Sequence, residues 1–207
     1  MYTHHHSSCD SMRLQTGYQD FMFSRSNLRG GNIMAKLVLC LDIDRTLIVK
    51  KSVVEDDEED YRPRFKQHLK PINILGQTKY NQFLAIYPET MAKIISAALA
   101  KQIEICFITR GDHTAEEFIP FIELLYNLPS DSLKACLFLK GDGCGVREPI
   151  GITLVNAKTR GLFKADAELV VVDDDYEFNE VSVLEAGFKY IRATGWPGTT
   201  KTLMLAD

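Results

Sequence analysis

Two aspartates separated by one residue, Asp42 and Asp44, close an apolar run over positions 37–41. Along an extended chain side chains alternate, so positions 42 and 44 project to one side and two carboxylates share a small site. Taken alone, the pair also fits a solvated strand end or a helix N-cap. Further down the chain a second apolar run ends in three consecutive acids, Asp173, Asp174 and Asp175. Packing them against Asp42 and Asp44 at neighbouring strand ends would be costly without a cation, so a hard divalent ion is implied. Magnesium suits the site, because it is usually held by one or two carboxylates together with phosphate oxygens and water. A third run ends in Thr109, whose short hydroxyl can bond a phosphoryl oxygen or cap the following helix. Lys158 lies fifteen residues before Asp173. If it opens a helix of about two turns, it returns to the same rim. Lys164 is the competing lysine, further from the strand ends.

These residues need a frame that brings strand ends together. Short apolar runs stand at 37–41, 103–108, 135–139 and 169–172, with a weaker one at 188–192. Helix-period stretches separate them, at 88–101, 114–126, 157–165 and 177–186, and Thr114 with Glu117 has the spacing of a capping box. Strand alternating with helix predicts an α/β fold, a doubly wound three-layer sandwich around a parallel sheet. Ligands of such sheets bind beyond the carboxyl ends of the strands, where the acids and Thr109 fall.

Composition narrows the function. The 207 residues suffice for one domain, and 45% hydrophobic content can bury a sizeable core. A formal charge of -4 offers no global field for nucleic acid or an anionic membrane. No apolar run approaches the ~20 residues of a membrane span, so no membrane insertion is expected. The five cysteines are odd in number, and Cys40, Cys106 and Cys136 sit in apolar runs, which favours a reducing, cytoplasmic setting. Residues 1–33 are polar and read as a flexible arm, in which His4, His5 and His6 are given no function. The folded domain then spans 34–207, and a monomer is expected.

The motifs resemble those of the haloacid dehalogenase (HAD) superfamily. LVLCLDIDRTL over 37–47 is similar to its first motif, ICFIT ending at Thr109 to its second, Lys158 to its third, and LVVVDDD ending at Asp175 to its fourth. The resemblance covers roughly 36–192 and implies a HAD-like Rossmannoid fold and a magnesium-dependent phosphatase. On that reading Asp42 is the nucleophile and forms an aspartyl-phosphate, and Asp44 is the general acid and base. Thr109 and Lys158 hold the transferring phosphoryl oxygens, and Thr46 orients Asp44. The metal ligands implied are Asp42, Asp44 through its backbone carbonyl, Asp173 and Asp174. Arg45, Thr46 and Arg110 are the candidate substrate-binding residues. Attack by a carboxylate on a phosphoester dianion is electrostatically opposed, which is why the cation and a lysine are needed.

Substrate class must be read from the loops. About forty residues, 48–87, follow the first motif before the next helix, too few for most helical caps and ample for a flap with a hairpin. The second insertion point, 140–156, is shorter still. This resembles the capless branch that includes the RNA polymerase C-terminal-domain phosphatases, although Arg45 stands where that branch carries Glu. A phosphorylated protein or peptide is the expected substrate, with phosphotyrosine the aromatic ester that an open, deep site would admit. Within the flap a run of acids at 55–60 precedes Arg62, Arg64 and Lys66, which would form a basic edge if that stretch is a strand. Self-compensating solvated charge is the plainer reading. Two other functions stay open: a phosphatase of small metabolites or nucleotides, and a catalytically silent phosphate-binding module.

Overall fold

The computed structural model describes residues 37–56, 68–141 and 148–193. In chain order the elements are β1 (Leu37–Asp42), β2 (Ile48–Lys50), α1 (Lys51–Asp56), β3 (Leu69–Pro71), a 3-10 turn (Tyr80–Gln82) and β4 (Phe83–Ile86). There follow α2 (Pro88–Ala100), β5 (Glu104–Thr109), α3 (Ala115–Leu125), β6 (Leu137–Lys140), α4 (Ile150–Thr159), β7 (Glu168–Asp173), α5 (Tyr176–Glu185) and β8 (Lys189–Arg192). Five strands form one parallel sheet in the order β6-β5-β1-β7-β8. This is the doubly wound α/β fold that the alternating pattern predicts. The arm at 1–33 and the basic positions Arg62, Arg64 and Lys66 lie outside the described residues.

The sheet is buried on both faces, so its strands read as continuous apolar runs rather than alternating ones. On one face Leu39, Leu41, Ile105, Phe107 and Val172 pack with Met91, Ile94 and Ile95 of α2 and with Phe118, Phe121 and Ile122 of α3. On the other, Val38, Cys40, Cys106, Ile108, Leu169 and Val171 pack with Ile150, Leu154 and Ala157 of α4 and Val183 of α5. Cys40 and Cys106 are partners across β1 and β5 and remain free thiols, filling the core as small hydrophobes. Among the described residues no helix is long and apolar enough to cross a membrane.

The stretch expected to be a flap builds a second, three-stranded antiparallel sheet in the order β2-β4-β3. Its inner residues Ile48, Val49, Ile72, Tyr80, Phe83 and Ala85 join the core shared with α2 and α3. The insert is therefore anchored by packing, and through Tyr80 it reaches the rim of the main sheet.

Two local expectations are corrected. Thr114 is the N-cap of α3, but its hydroxyl makes no cap hydrogen bond, and Glu117 pairs with Lys79 of the insert instead of closing a capping box. The helix expected at 157–165 is α4, at Ile150–Thr159, so Lys158 lies in its last turn and Lys164 beyond it. The reason is tertiary. Pro149 precedes α4 and offers no side-chain cap, so the first free N–H groups are satisfied by α5. Asn179 Oδ1 accepts from Ile150 N at 3.2 Å, and Ser182 Oγ accepts from Gly151 N at 3.3 Å.

Gly151 is required for that contact. A Cβ there would lie 2.2 Å from the Ser182 carbonyl oxygen and 2.8 Å from Val183 N, backbone atoms that cannot turn aside. Gly151→Ala should lower unfolding free energy in urea by about 1–3 kcal/mol, the usual cost of overpacking. An unchanged midpoint would show that α4 and α5 do not meet this closely.

Candidate active site

The register of three strands assembles the site. Leu41 pairs with Val172, so the next residues, Asp42 and Asp173, emerge side by side at the carboxyl ends of β1 and β7. Asp42 pairs with Ile108, which places Thr109 on its other flank, and Thr109 in turn pairs with Lys140. Beyond Asp42 the chain reverses sharply. Leu47 N and Ile48 N both donate to Ile43 O, and Arg45 adopts a left-handed φ of 65° while its N–H donates to Ile48 O at 2.7 Å. A non-glycine residue in that conformation is uncommon and marks a turn held by its surroundings.

Carboxylate oxygens of Asp42, Asp173 and Asp174 lie within 4.8 Å of one another. Asp42 and Asp173 are buried, and their mutual field is strong. Burial first, then the charges of Asp173, Asp174 and Asp44, pushes the Asp42 carboxyl well above the usual carboxylate range, with Arg110 opposing the shift. Burial and Asp173 raise Asp174 to about 6, against Arg45 and Thr46. Three hard oxygen donors in a small volume could hold a divalent cation. Asp173 is fixed by two donors. Its Oδ2 accepts from Asn179 Nδ2 at 2.8 Å and from the Tyr190 hydroxyl at 2.6 Å, and Asn179 is the same buried side chain that caps α4.

The Asp44 carboxylate stands apart from this cluster; its expected place at the metal runs through the backbone carbonyl, not this side chain. Its Oδ2 accepts from Thr109 Oγ1 at 3.3 Å, and its Oδ1 lies 3.1 Å from His113 Nε2. Burial raises its pKa, but the hydrogen bonds and charge of His113 and the bond from Thr109 outweigh it, and the carboxyl sits below its ordinary value. Gly111 leaves room for it: a Cβ there would lie 2.6 Å from Asp44 Oδ2.

The other expected residues divide. Thr46 is fully buried, and its hydroxyl donates to Asp42 Oδ2 at 3.2 Å and reaches Asp174 Oδ1 at 3.5 Å, so it orients the nucleophile candidate and not Asp44. Arg110 is at the site, with its Nη2 3.7 Å from Asp175 Oδ2 and its guanidinium 5.5 Å from the Phe178 ring centroid. Arg45 is exposed on the turn and bears on Asp174. Lys158 is not at the site. Its Nζ donates to Ala167 O at 3.3 Å and lies 5.6 Å from the Phe188 ring centroid. Ala167 precedes the first residue of β7, whereas Asp173 is the last, a separation of about 20 Å at ~3.3 Å per residue. A lysine that ends its helix rather than opening it is carried to the wrong end of the sheet.

The sequence reading missed His113 and Asn179. A histidine four residues past the second motif carries no periodic signal.

No family model matches the sequence, and no curated protein matches it. Among solved structures the chain is similar to the HAD domain of effector protein Lem4 from Legionella pneumophila. The two share 16% identity with a TM-score of 0.47, over 83% of this chain and 95% of that one. An inactive mutant of the same domain gives 15% identity and a TM-score of 0.47, over 82% and 93%. The chemistry is read from the site's own residues.

If the three carboxylates form a cation site, calorimetric titration with magnesium or manganese should show one divalent ion per chain. Asp173→Asn should lose it and Lys158→Ala should keep it. Binding unaffected by Asp173→Asn would remove the assignment.

Proposed function

We propose that this protein is a divalent-cation-dependent phosphoric monoester hydrolase in which Asp42 is the nucleophile and Asp44 the general acid and base. The observation that carries the reading is the division between two carboxylates two residues apart. Asp42 is drawn into an acidic cluster with Asp173 and Asp174, while Asp44 is held apart by Thr109 and His113. The separation in space carries the reading. Without a cation's charge Asp42 is shifted up and Asp44 down, the reverse of what a nucleophile and an acid need, and a cation beside Asp42 would lower its pKa.

An Asp42 oxygen attacks phosphorus, and the ester oxygen leaves as the phosphorus–oxygen bond breaks, taking a proton from Asp44. Water then gives a proton back to Asp44 and attacks the aspartyl-phosphate, releasing phosphate and restoring Asp42. In the free site Asp44 favours its ionised form, so an approaching phosphate dianion must raise its affinity for the proton. Thr46 fixes the Asp42 carboxylate for attack. Asp42, Asp173 and Asp174 would hold the cation, which when bound supplies positive charge against the phosphoryl oxygens. Arg110 adds a further cation beside Asp42 and takes the part that Lys158 is too distant to play.

A phosphorylated protein or peptide is the substrate class the surroundings favour. Among the described residues the insert at 48–87 holds a small sheet packed on the core, with no separate enclosing body. A phosphate borne on a polypeptide can then reach Asp42 without a domain opening, whereas small metabolites would lack enclosing contacts. The distance of Lys158 favours a second reading, a phosphate-binding module without turnover.

Turnover of phosphopeptides in magnesium, abolished by chelation and restored by the metal, is the expected result, with higher kcat/KM than for sugar phosphates or nucleotides. Asp42→Asn should end turnover and covalent labelling together. Arg110→Ala should cost about tenfold or more in kcat/KM, and Lys158→Ala less than about twofold. Turnover by a folded Asp42→Asn protein would overturn the nucleophile. Phosphate binding without turnover in the wild type would select the silent module, and a wide preference for metabolites would replace the phosphoprotein reading.

A further inference from the structure

We propose that His113 is a positioning residue for Asp44, and that the insert sets the proton-transferring carboxylate through it. The inference rests on the assignment of Asp44 as general acid and base. His113 is 3% exposed, so its ring is not a surface group that happens to meet an acid. It is confined by three aromatic neighbours: Tyr80 stacked at 5.8 Å between centroids, Phe83 at 5.8 Å and Phe118 at 5.6 Å. From that position Nε2 meets Asp44 Oδ1, and Nδ1 lies 3.5 Å from the Tyr80 hydroxyl. An ionised carboxylate only accepts hydrogen bonds, so Nε2 carries a proton in either charge state of the ring.

Tyr80 belongs to the insert, and its hydroxyl carries a proton that can be donated to His113 Nδ1. Its ring lies 3.8 Å from Phe121, nearly parallel at 8°, so α3 fixes it from behind. A second tie comes from its neighbour, because Lys79 Nζ donates to Asp112 O at 2.8 Å and pairs with Glu117. The loop after Thr109, which carries Gly111 and His113, is thus gripped by residues 79–80 of the insert at its outer side. On the inner side Gly111 N donates to Thr109 Oγ1 at 2.9 Å, which directs that hydroxyl to Asp44. Both carboxylate oxygens of Asp44 are therefore set by the end of β5 and the loop that follows it, and one of the two contacts continues into the insert.

A carboxylate held at both oxygens keeps the orientation that proton transfer to the leaving oxygen requires. Losing the His113 contact should therefore matter most where the leaving group needs its proton most. The test compares aryl phosphates with good leaving groups and alkyl phosphates with poor ones, in the wild type, His113→Leu, His113→Gln and Tyr80→Phe. His113→Leu should lose about tenfold more kcat/KM on alkyl than on aryl esters. His113→Gln, whose amide can donate from near the Nε2 position, should recover most of that difference. Tyr80→Phe, which keeps the stacking and removes only the hydroxyl, should show a smaller loss of the same kind. An equal loss on both ester classes would overturn the proposal and leave His113 a packing residue. If His113→Leu does not fold, Tyr80→Phe decides by the same criterion. Should the wild type show no turnover at all, the hydrolase reading falls. The contact is then judged alone by long-range proton–nitrogen NMR of the imidazole, where a protonated Nε2 is expected and an Nδ1–H neutral tautomer would refute it.

Discussion

Three carboxylates within 4.8 Å of one another are the constraint around which this molecule is organised. Two unit charges at that spacing repel by on the order of 3 kcal/mol even at an effective dielectric near 20. The arrangement persists because Asp42 and Asp173 are the terminal residues of adjacent parallel strands whose cores are buried on both faces. Strand register would have to slip for the acids to separate, and a one-residue slip would reverse every apolar side chain between the two cores. The hydrophobic sheet thus supplies the energy that holds the acids together, and the Asp42 pKa is raised by burial first and by the neighbouring acids second.

Around this cluster the second layer of contacts is continuous. Asn179 is the clearest case, since one amide donates to Asp173 and accepts from the first N–H of α4. Tyr190 adds a second donor from β8, and its own hydroxyl pKa is pushed up by burial and by the acids it faces. Thr46 bridges Asp42 and Asp174 from the turn after β1. The side chains that fix the acids are therefore also parts of the helix and turn packing, so a change in one alters the other. Outer groups of this kind orient ligands and tune their basicity.

Asp44 answers to a different part of the fold. Its partners come from the last residue of β5 and the loop that follows, and that loop is braced by the insert between β1 and α2. The two early aspartates, two apart in sequence, therefore stand in unlike environments. The insert's aromatic and lysine contacts end on the loop whose His113 meets Asp44.

What could be read from the linear chain was whatever depends on local period and chain direction. Apolar runs ended by Asp42, Thr109 and Asp173 declare buried parallel strands, and parallel strands bring their carboxyl ends to one rim, so these residues were legible as a site. Thr46 and Arg110 follow because they are tied to the same strand ends by one to four residues of chain. Lys158 was misplaced because the start of α4 is not encoded by its own propensity. Asn179 and Ser182 satisfy its first N–H groups and Gly151 admits the close approach, so contacts across about 30 residues decide which end of the helix the lysine occupies. His113 meets Asp44 across a sequence separation of 69, inside an aromatic cage contributed by the insert and α3. No local pattern carries such a contact, because its energy comes from packing that exists only once the sheet, the insert and the helix have come together.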